Sequence, residues 1–172
     1  FTDWRSIGAE ALVIGRVNRA SDGRLEAEFR VWDVVLGKQL AAQRFRTVAQ
    51  NWRRVGHIIA DQAWEKLTLE RGYFDTRIVF IAESGPKLNR RKRLSVMDQD
   101  GANPVFLTQG DYLVLTPRFN PTTQMIAYMS YIGGKPRVYL FDIETGKQEV
   151  LGNFPNMTFS PRFSPDGNMV AL

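Results

Sequence analysis

The sequence predicts an α+β N-terminal domain followed by the blades of an all-β propeller. Three observations carry that reading: apolar residues alternating with charged ones between positions 25 and 31, an apolar stripe at spacings of three and four directly after, and a 44-residue repeat of short strands in the second half.

The first half supplies the elements of a two-layer unit. A helix is expected around Asp3 to Glu10, before the apolar, β-branched run of residues 11–17. Ser21-Asp22-Gly23 then gives a turn. Leu25, Ala27, Phe29 and Val31 alternate with Glu26, Glu28 and Arg30, the pattern of a strand with one buried and one solvated face. Leu36-Gly37-Lys38 turns the chain back into a third strand, 39–47, completing an antiparallel meander. Asn51 stands where a helix N-cap belongs, its side-chain oxygen available to the free amides of the first turn. Trp52, Val55, Ile59, Ala63 and Leu67 then form the apolar stripe of a helix that ends before Gly72 and packs on the sheet.

The second half repeats itself. Residues 115–121, Leu-Thr-Pro-Arg-Phe-Asn-Pro, match 159–165, Phe-Ser-Pro-Arg-Phe-Ser-Pro, and 161 − 117 is 44. Arg93 to Asp98 matches Arg137 to Asp142 at the same offset, and Leu107 matches Leu151. A unit of that length with four short strands and Gly, Pro, Asn and Asp turns is a propeller blade. The expected strands of one blade enter at Pro-Arg-Phe and continue through Met125 to Tyr131, Arg137 to Ile143 and Gln148 to Leu151. The domains read as 1–72, incomplete at its start, and 73–172, holding blades one and two and the beginning of blade three. Residues 78–172 amount to little more than two repeats, and the smallest propellers need about four blades. Either the chain belongs to a longer protein or another chain covers its open edges.

Composition narrows the chemistry. There is no cysteine and one histidine, so thiol catalysis, disulfides and His-rich metal clusters are excluded. His57 falls off the apolar stripe, with Asp61 at i+4 and no serine or cysteine on its helix to activate; it reads as a boundary residue. Asp98 to Asn103 resembles a calcium loop only superficially, lacking the downstream Glu, and reads as a hairpin turn. No apolar run approaches the roughly 20 residues of a membrane-spanning helix. The net charge of +5 comes from 23 basic and 18 acidic residues that are interspersed except at Arg90-Arg91-Lys92-Arg93, a balance that does not point to nucleic acid.

Residues 73–80, Tyr-Phe-Asp-Thr-Arg-Ile-Val-Phe, together with Met97 to Asn103 and Phe163-Ser164-Pro165-Asp166-Gly167, resemble the TolB family of periplasmic Tol-Pal components. The helix at Trp52-Arg53-Arg54 ahead of a propeller fits the family's domain order. The resemblance implies a secreted precursor with a cleaved signal peptide, a six-bladed propeller in the intact protein, and no catalytic activity, cofactor or metal. It implies a monomer that binds the lipoprotein Pal through the propeller and TolA through an N-terminal segment not found in this sequence, serving outer-membrane integrity and cell division. Propellers with the same Ser-Pro-Asp-Gly turn also gate prolyl-oligopeptidase-like serine peptidases, the alternative reading, although no Gly-x-Ser-x-Gly elbow is present. A small ligand in the channel is a third possibility without positive support.

Loops entering the innermost strands surround a propeller's channel mouth, where partners commonly bind. Here these are Leu115 and Thr116 before Pro117, and Asn156, Met157, Thr158 and Ser160 before or beside Pro161. By resemblance Met157 and Ser160 are the foremost Pal-facing candidates, although the loop lacks the histidine of better-known members. Arg90, Arg91 and Arg93, expected in the loop between the first two strands of blade one, are candidates for steering an acidic partner.

Overall fold

A computed structural model describes residues 1–152, 154 and 160–172. The chain divides into two compact units, Phe1–Thr76 and Arg77–Leu172.

In the first unit a short helix α1 (Thr2–Ser6) leads into an antiparallel meander of β1 (Ala11–Arg19), β2 (Leu25–Asp33) and β3 (Lys38–Thr47), in the order β1-β2-β3. Helix α1 is shorter than the expected 3–10, because the chain turns at Gly8 with φ 76. Period two appears as burial: Ala27, Phe29 and Val31 are buried in the central strand. The opposite face carries cross-strand ion pairs, Arg16 to Glu28 at 2.8 Å and Arg44 to Glu26 at 2.6 Å. Helix α2 (Trp52–Thr68) follows a 3₁₀ turn, Ala49–Asn51.

Two expectations about α2 are corrected. Asn51 makes no side-chain cap: its φ/ψ of −85/9 belongs to the preceding 3₁₀ turn rather than to the extended backbone an accepting cap uses, and its amide instead donates to Thr47 Oγ1 at 3.1 Å. The apolar stripe is also narrower than its spacing suggests. Val55 is buried and Ile59 and Ala63 are half-buried, whereas Trp52 and Leu67, at the two ends, are 58% and 45% exposed. Asp61, on the same helix, accepts from the backbone N–H groups of Phe74 at 2.6 Å and Asp75 at 3.0 Å.

The second unit is built of consecutive antiparallel sheets. The first contains β4 (Arg77–Ser84), β5 (Arg91–Asp98) and β6 (Val105–Phe106). The second has the order β10-β9-β8-β7, from β7 (Val114–Phe119), β8 (Met125–Ser130), β9 (Arg137–Asp142) and β10 (Gln148–Val150). A third begins with β11 (Arg162–Phe163) and β12 (Val170–Ala171). The 44-residue offset recurs in the structure: β9 and β5 end at Asp142 and Asp98, and β11 falls on the Arg118-Phe119 end of β7. Among the described residues the sheets do not close into a ring. A core of Leu94, Val96, Val114, Ile126, Tyr128, Tyr139 and Phe141 joins the first two sheets.

Registers define two ends of these blades. Val114, Ser130 and Arg137 align at one end, as do Ser84 and Arg91, so the connections 85–90, 107–113 and 131–136 all belong to this loop end. The tight turns 120–124, 143–147 and 164–169 lie at the opposite end. There Asn120 clasps the second blade to the third, its carboxamide donating to Gly167 O at 2.8 Å while its oxygen accepts from Thr122 N at 2.9 Å and Thr123 N at 3.1 Å.

Candidate partner-binding face

Leu115 and Thr116, expected in the loop entering the strand, are instead the second and third residues of β7, which already begins at Val114, whereas Ser160 lies before β11. Thr116 and Ser160 share a backbone feature that no spacing rule announces: both non-glycine residues have φ 48, each directly before a proline. Between Leu115 and Arg118 the ladder to β8 slips, so Thr116 and Pro117 together oppose Tyr128, a β-bulge. Proline contributes no N–H to the ladder, which is tolerable at such a site. Leu115 and Thr116 are half-buried and Ser160 is exposed; Thr116 Oγ1 is buried without a hydrogen-bond partner. Asn156, Met157 and Thr158 lie outside the described residues.

The basic run is not the loop expected from sequence. Arg91, Lys92 and Arg93 belong to β5, paired with Ser84, Glu83 and Ala82, and only Arg90 remains in the turn. Strand pairing separates their roles, because alternate residues face opposite sides. Lys92 Nζ sits 2.7 Å from Glu83 Oε1, and that contact holds the Glu83 carboxyl below the usual carboxylate range. Arg93 lies 3.9 Å over the Phe106 ring and donates to Ser84 Oγ at 3.1 Å. Arg93 is therefore fixed by its own sheet, which removes it from the exposed set, while Arg90 and Arg91 remain.

These two arginines meet the 107–113 connection across a cleft of about 390 Å³ that also presents Asp111, Tyr112 and Leu113. Sequence reasoning missed Tyr112 and Leu113; their only signal was membership of the connection leading to Leu115. The connection is tied down at both ends. Leu107 N donates to Leu94 O at 2.8 Å, Leu94 N to Thr108 Oγ1 at 2.9 Å, and Ser130 Oγ and Tyr131 N both donate to Leu113 O at 3.1 Å. Gly110, with φ 85, lies so close to β5 that a Cβ would come within 2.9 Å of Arg93 Cγ.

Asp98 closes its hairpin turn by accepting from Asn103 Nδ2 at 2.7 Å, and no group of three or more His, Cys, Asp or Glu suited to a metal ion occurs among the described residues.

Comparison with known proteins fits this architecture. Residues 64–172 match the family model of the TolB beta propeller domain, and residues 1–40 match that of the TolB amino-terminal domain. The chain belongs to the TolB family. The crystal structure of TolB from Acinetobacter baumannii is similar to it at a TM-score of 0.83 and 30% identity, over 98% of this chain and 42% of that protein. This chain thus spans less than half of that TolB. Two more distant structures carry no argument: a candidate TolB from Agrobacterium tumefaciens (TM-score 0.48, 14% identity, 93% of this chain and 69% of that one) and oligogalacturonate lyase in complex with manganese (TM-score 0.44, 15% identity, 94% and 43%). Within the TolB frame, β7 and β11 are equivalent strands of the propeller portion one 44-residue repeat apart, and Thr116 and Ser160 hold equivalent positions in the two repeats. No helix among the described residues is long and apolar enough to cross a membrane.

Proposed function

We propose that this TolB-family chain serves a non-catalytic periplasmic scaffold of the Tol-Pal system, which binds the lipoprotein Pal through the loop end of its propeller and supports outer-membrane integrity and division. The observation that carries this reading is the order of the two family matches, a TolB amino-terminal region followed by a TolB propeller region in one chain. The geometry of the loop end supports it. Leu115 and Thr116 enter one blade and Ser160 enters the next, so a partner seated across adjacent connections would meet equivalent positions twice. Asn156, Met157 and Thr158 complete the proposed face by sequence position. TolA is the proposed partner of an N-terminal segment of the intact protein.

The test is capture of soluble Pal by the intact protein, beside Met157→Arg and Ser160→Arg variants whose melting temperatures match the parent. Capture by the parent, lost in both folded variants, is the expected result. A well-folded parent that captures no Pal overturns the reading.

A further inference from the structure

Two guanidinium groups at the loop end form no direct ion pair, although Arg90 lies near enough to Glu83 to help hold its carboxyl low. Among the described residues the side chains of Arg90 and Arg91 make neither a hydrogen bond nor an ion pair, whereas their neighbour Lys92 is neutralised by Glu83 and Arg93 is stacked on Phe106. They form one wall of the 390 Å³ cleft, with Asp111 as its single acidic member. The other wall is apolar and open: Tyr112 is 51% exposed and Leu113 40%. Leu88, at the tip of the turn that carries Arg90, is 100% exposed. An exposed leucine alone is ordinary, but here exposed apolar side chains adjoin unpaired cations in a cleft whose far wall is held by backbone hydrogen bonds at Leu107 and Leu113.

We propose that this cleft, between the β4–β5 turn and the 107–113 connection, binds an acidic segment of a protein partner, with carboxylates on Arg90 and Arg91 and an intervening apolar side chain on Tyr112 and Leu113. Charge complementarity selects the occupant. Guanidinium forks take carboxylates in bidentate geometry, and a half-exposed tyrosine offers apolar area together with a polar tip. A phosphate group alone would leave the Tyr112–Leu113 wall unused. The inference rests on the function proposed above for one thing only, that this end of the blades meets a protein. It assigns a binding role to residues 88–113, outside the Leu115–Ser160 set.

The test uses the intact protein and a fluorescein-labelled acidic peptide with carboxylates flanking a Leu-Phe pair, with its Gln/Asn amide copy as control. Fluorescence anisotropy at low salt should show saturable binding of the acidic peptide and none of the amide copy. The double variant Arg90→Glu/Arg91→Glu should weaken binding about tenfold or more, and Tyr112→Ala about threefold. Lys147→Glu, a charge reversal at the opposite end of the blades, should leave affinity within about twofold. No peptide binding, equal binding of the amide copy, or indifference to the double reversal overturns the proposal. So does capture of the protein by phosphatidylglycerol vesicles through the same arginines when the peptide does not bind. Loss of peptide binding with Pal capture intact removes the cleft alone, and the reverse pattern removes the Pal assignment alone.

Discussion

Replacing Asn120 by Ala should loosen the clasp between the second and third blades. The Asn120 side chain is 8% exposed and uses both ends of its carboxamide: Nδ2 donates to Gly167 O at 2.8 Å, and Oδ1 accepts from Thr122 N at 2.9 Å, Thr123 N at 3.1 Å and Thr122 Oγ1 at 3.0 Å. A net hydrogen bond is worth about 0.5–1.5 kcal/mol, and water reaches part of this turn once the carboxamide is gone. Losing the set should therefore cost about 2–3 kcal/mol. Gly167 provides the second arm of the test. Its φ is 75, and a Cβ there would lie 2.5 Å from Asn120 Oδ1, so Gly167→Ala adds a left-handed alanine, about 1 kcal/mol, to a direct clash. Removing the Asn120 carboxamide relieves part of that clash. In urea denaturation of the intact protein, the double variant should accordingly cost about 1 kcal/mol less than the sum of the single ones. An Asn120→Ala cost below about 0.5 kcal/mol, or strict additivity with Gly167→Ala, would refute the clasp.

Other outcomes can be stated more briefly. Burial raises the Tyr128 hydroxyl above its ordinary 10.0, and the group has no hydrogen-bond partner. A raised folded-state value makes its contribution complete below pH 10 and progressively lost above it, at about 1.4 kcal/mol per pH unit. Tyr128→Phe should leave stability at neutral pH equal or up to about 1 kcal/mol higher and flatten the alkaline limb, as read by urea midpoints across that range. The lowered Glu83 carboxyl stabilises above its ordinary 4.5 and loses that contribution as pH falls further; in Lys92→Gln, an NMR titration should find Glu83 closer to 4.5. Thr116→Gly should be stabilising by about 0.5–1 kcal/mol in thermal melts, because glycine accepts φ 48 and removes a buried hydroxyl without a partner.

How legible this was in the sequence differs between residues for physical reasons. Alternation from Leu25 to Val31 and the 44-residue repeat report burial and strand order directly, so the meander and the blade strands follow from them. Asn51 misled because capping propensity describes the backbone a cap needs, and here a 3₁₀ turn occupies that place. Arg91 to Arg93 misled because a dense charge run looks like a loop, yet each finds a cross-strand neighbour on β4 and Phe106 lies beneath the third. Of the candidate face, Leu115 and Ser160 were readable from the repeat. Tyr112 was not, since its relation to Arg91 depends on a connection folding back on a strand some twenty positions earlier.

The bulge at Thr116-Pro117 explains a conflict that simple alternation leaves in β7. Counting by twos from Val114 places Arg118 on the core side and Phe119 outside. The structure does the opposite: Val114 belongs to the core cluster, Phe119 packs against that cluster, and Arg118 is exposed. One extra residue shifts the phase of everything after it. The left-handed Thr116 and the proline beyond it supply that residue, at the cost of a ladder hydrogen bond that proline could not have made. Ser160, again at φ 48 before Pro161, repeats the arrangement, and Arg162 is exposed as Arg118 is. The device solves two problems in the second blade. It returns Phe119 of β7 to the core, and it marks the strand entry, with Thr116 and Ser160 at corresponding points of successive blades. A partner-binding face assembled from such connections inherits its spacing from the repeat, while its chemistry is free to vary in the residues between.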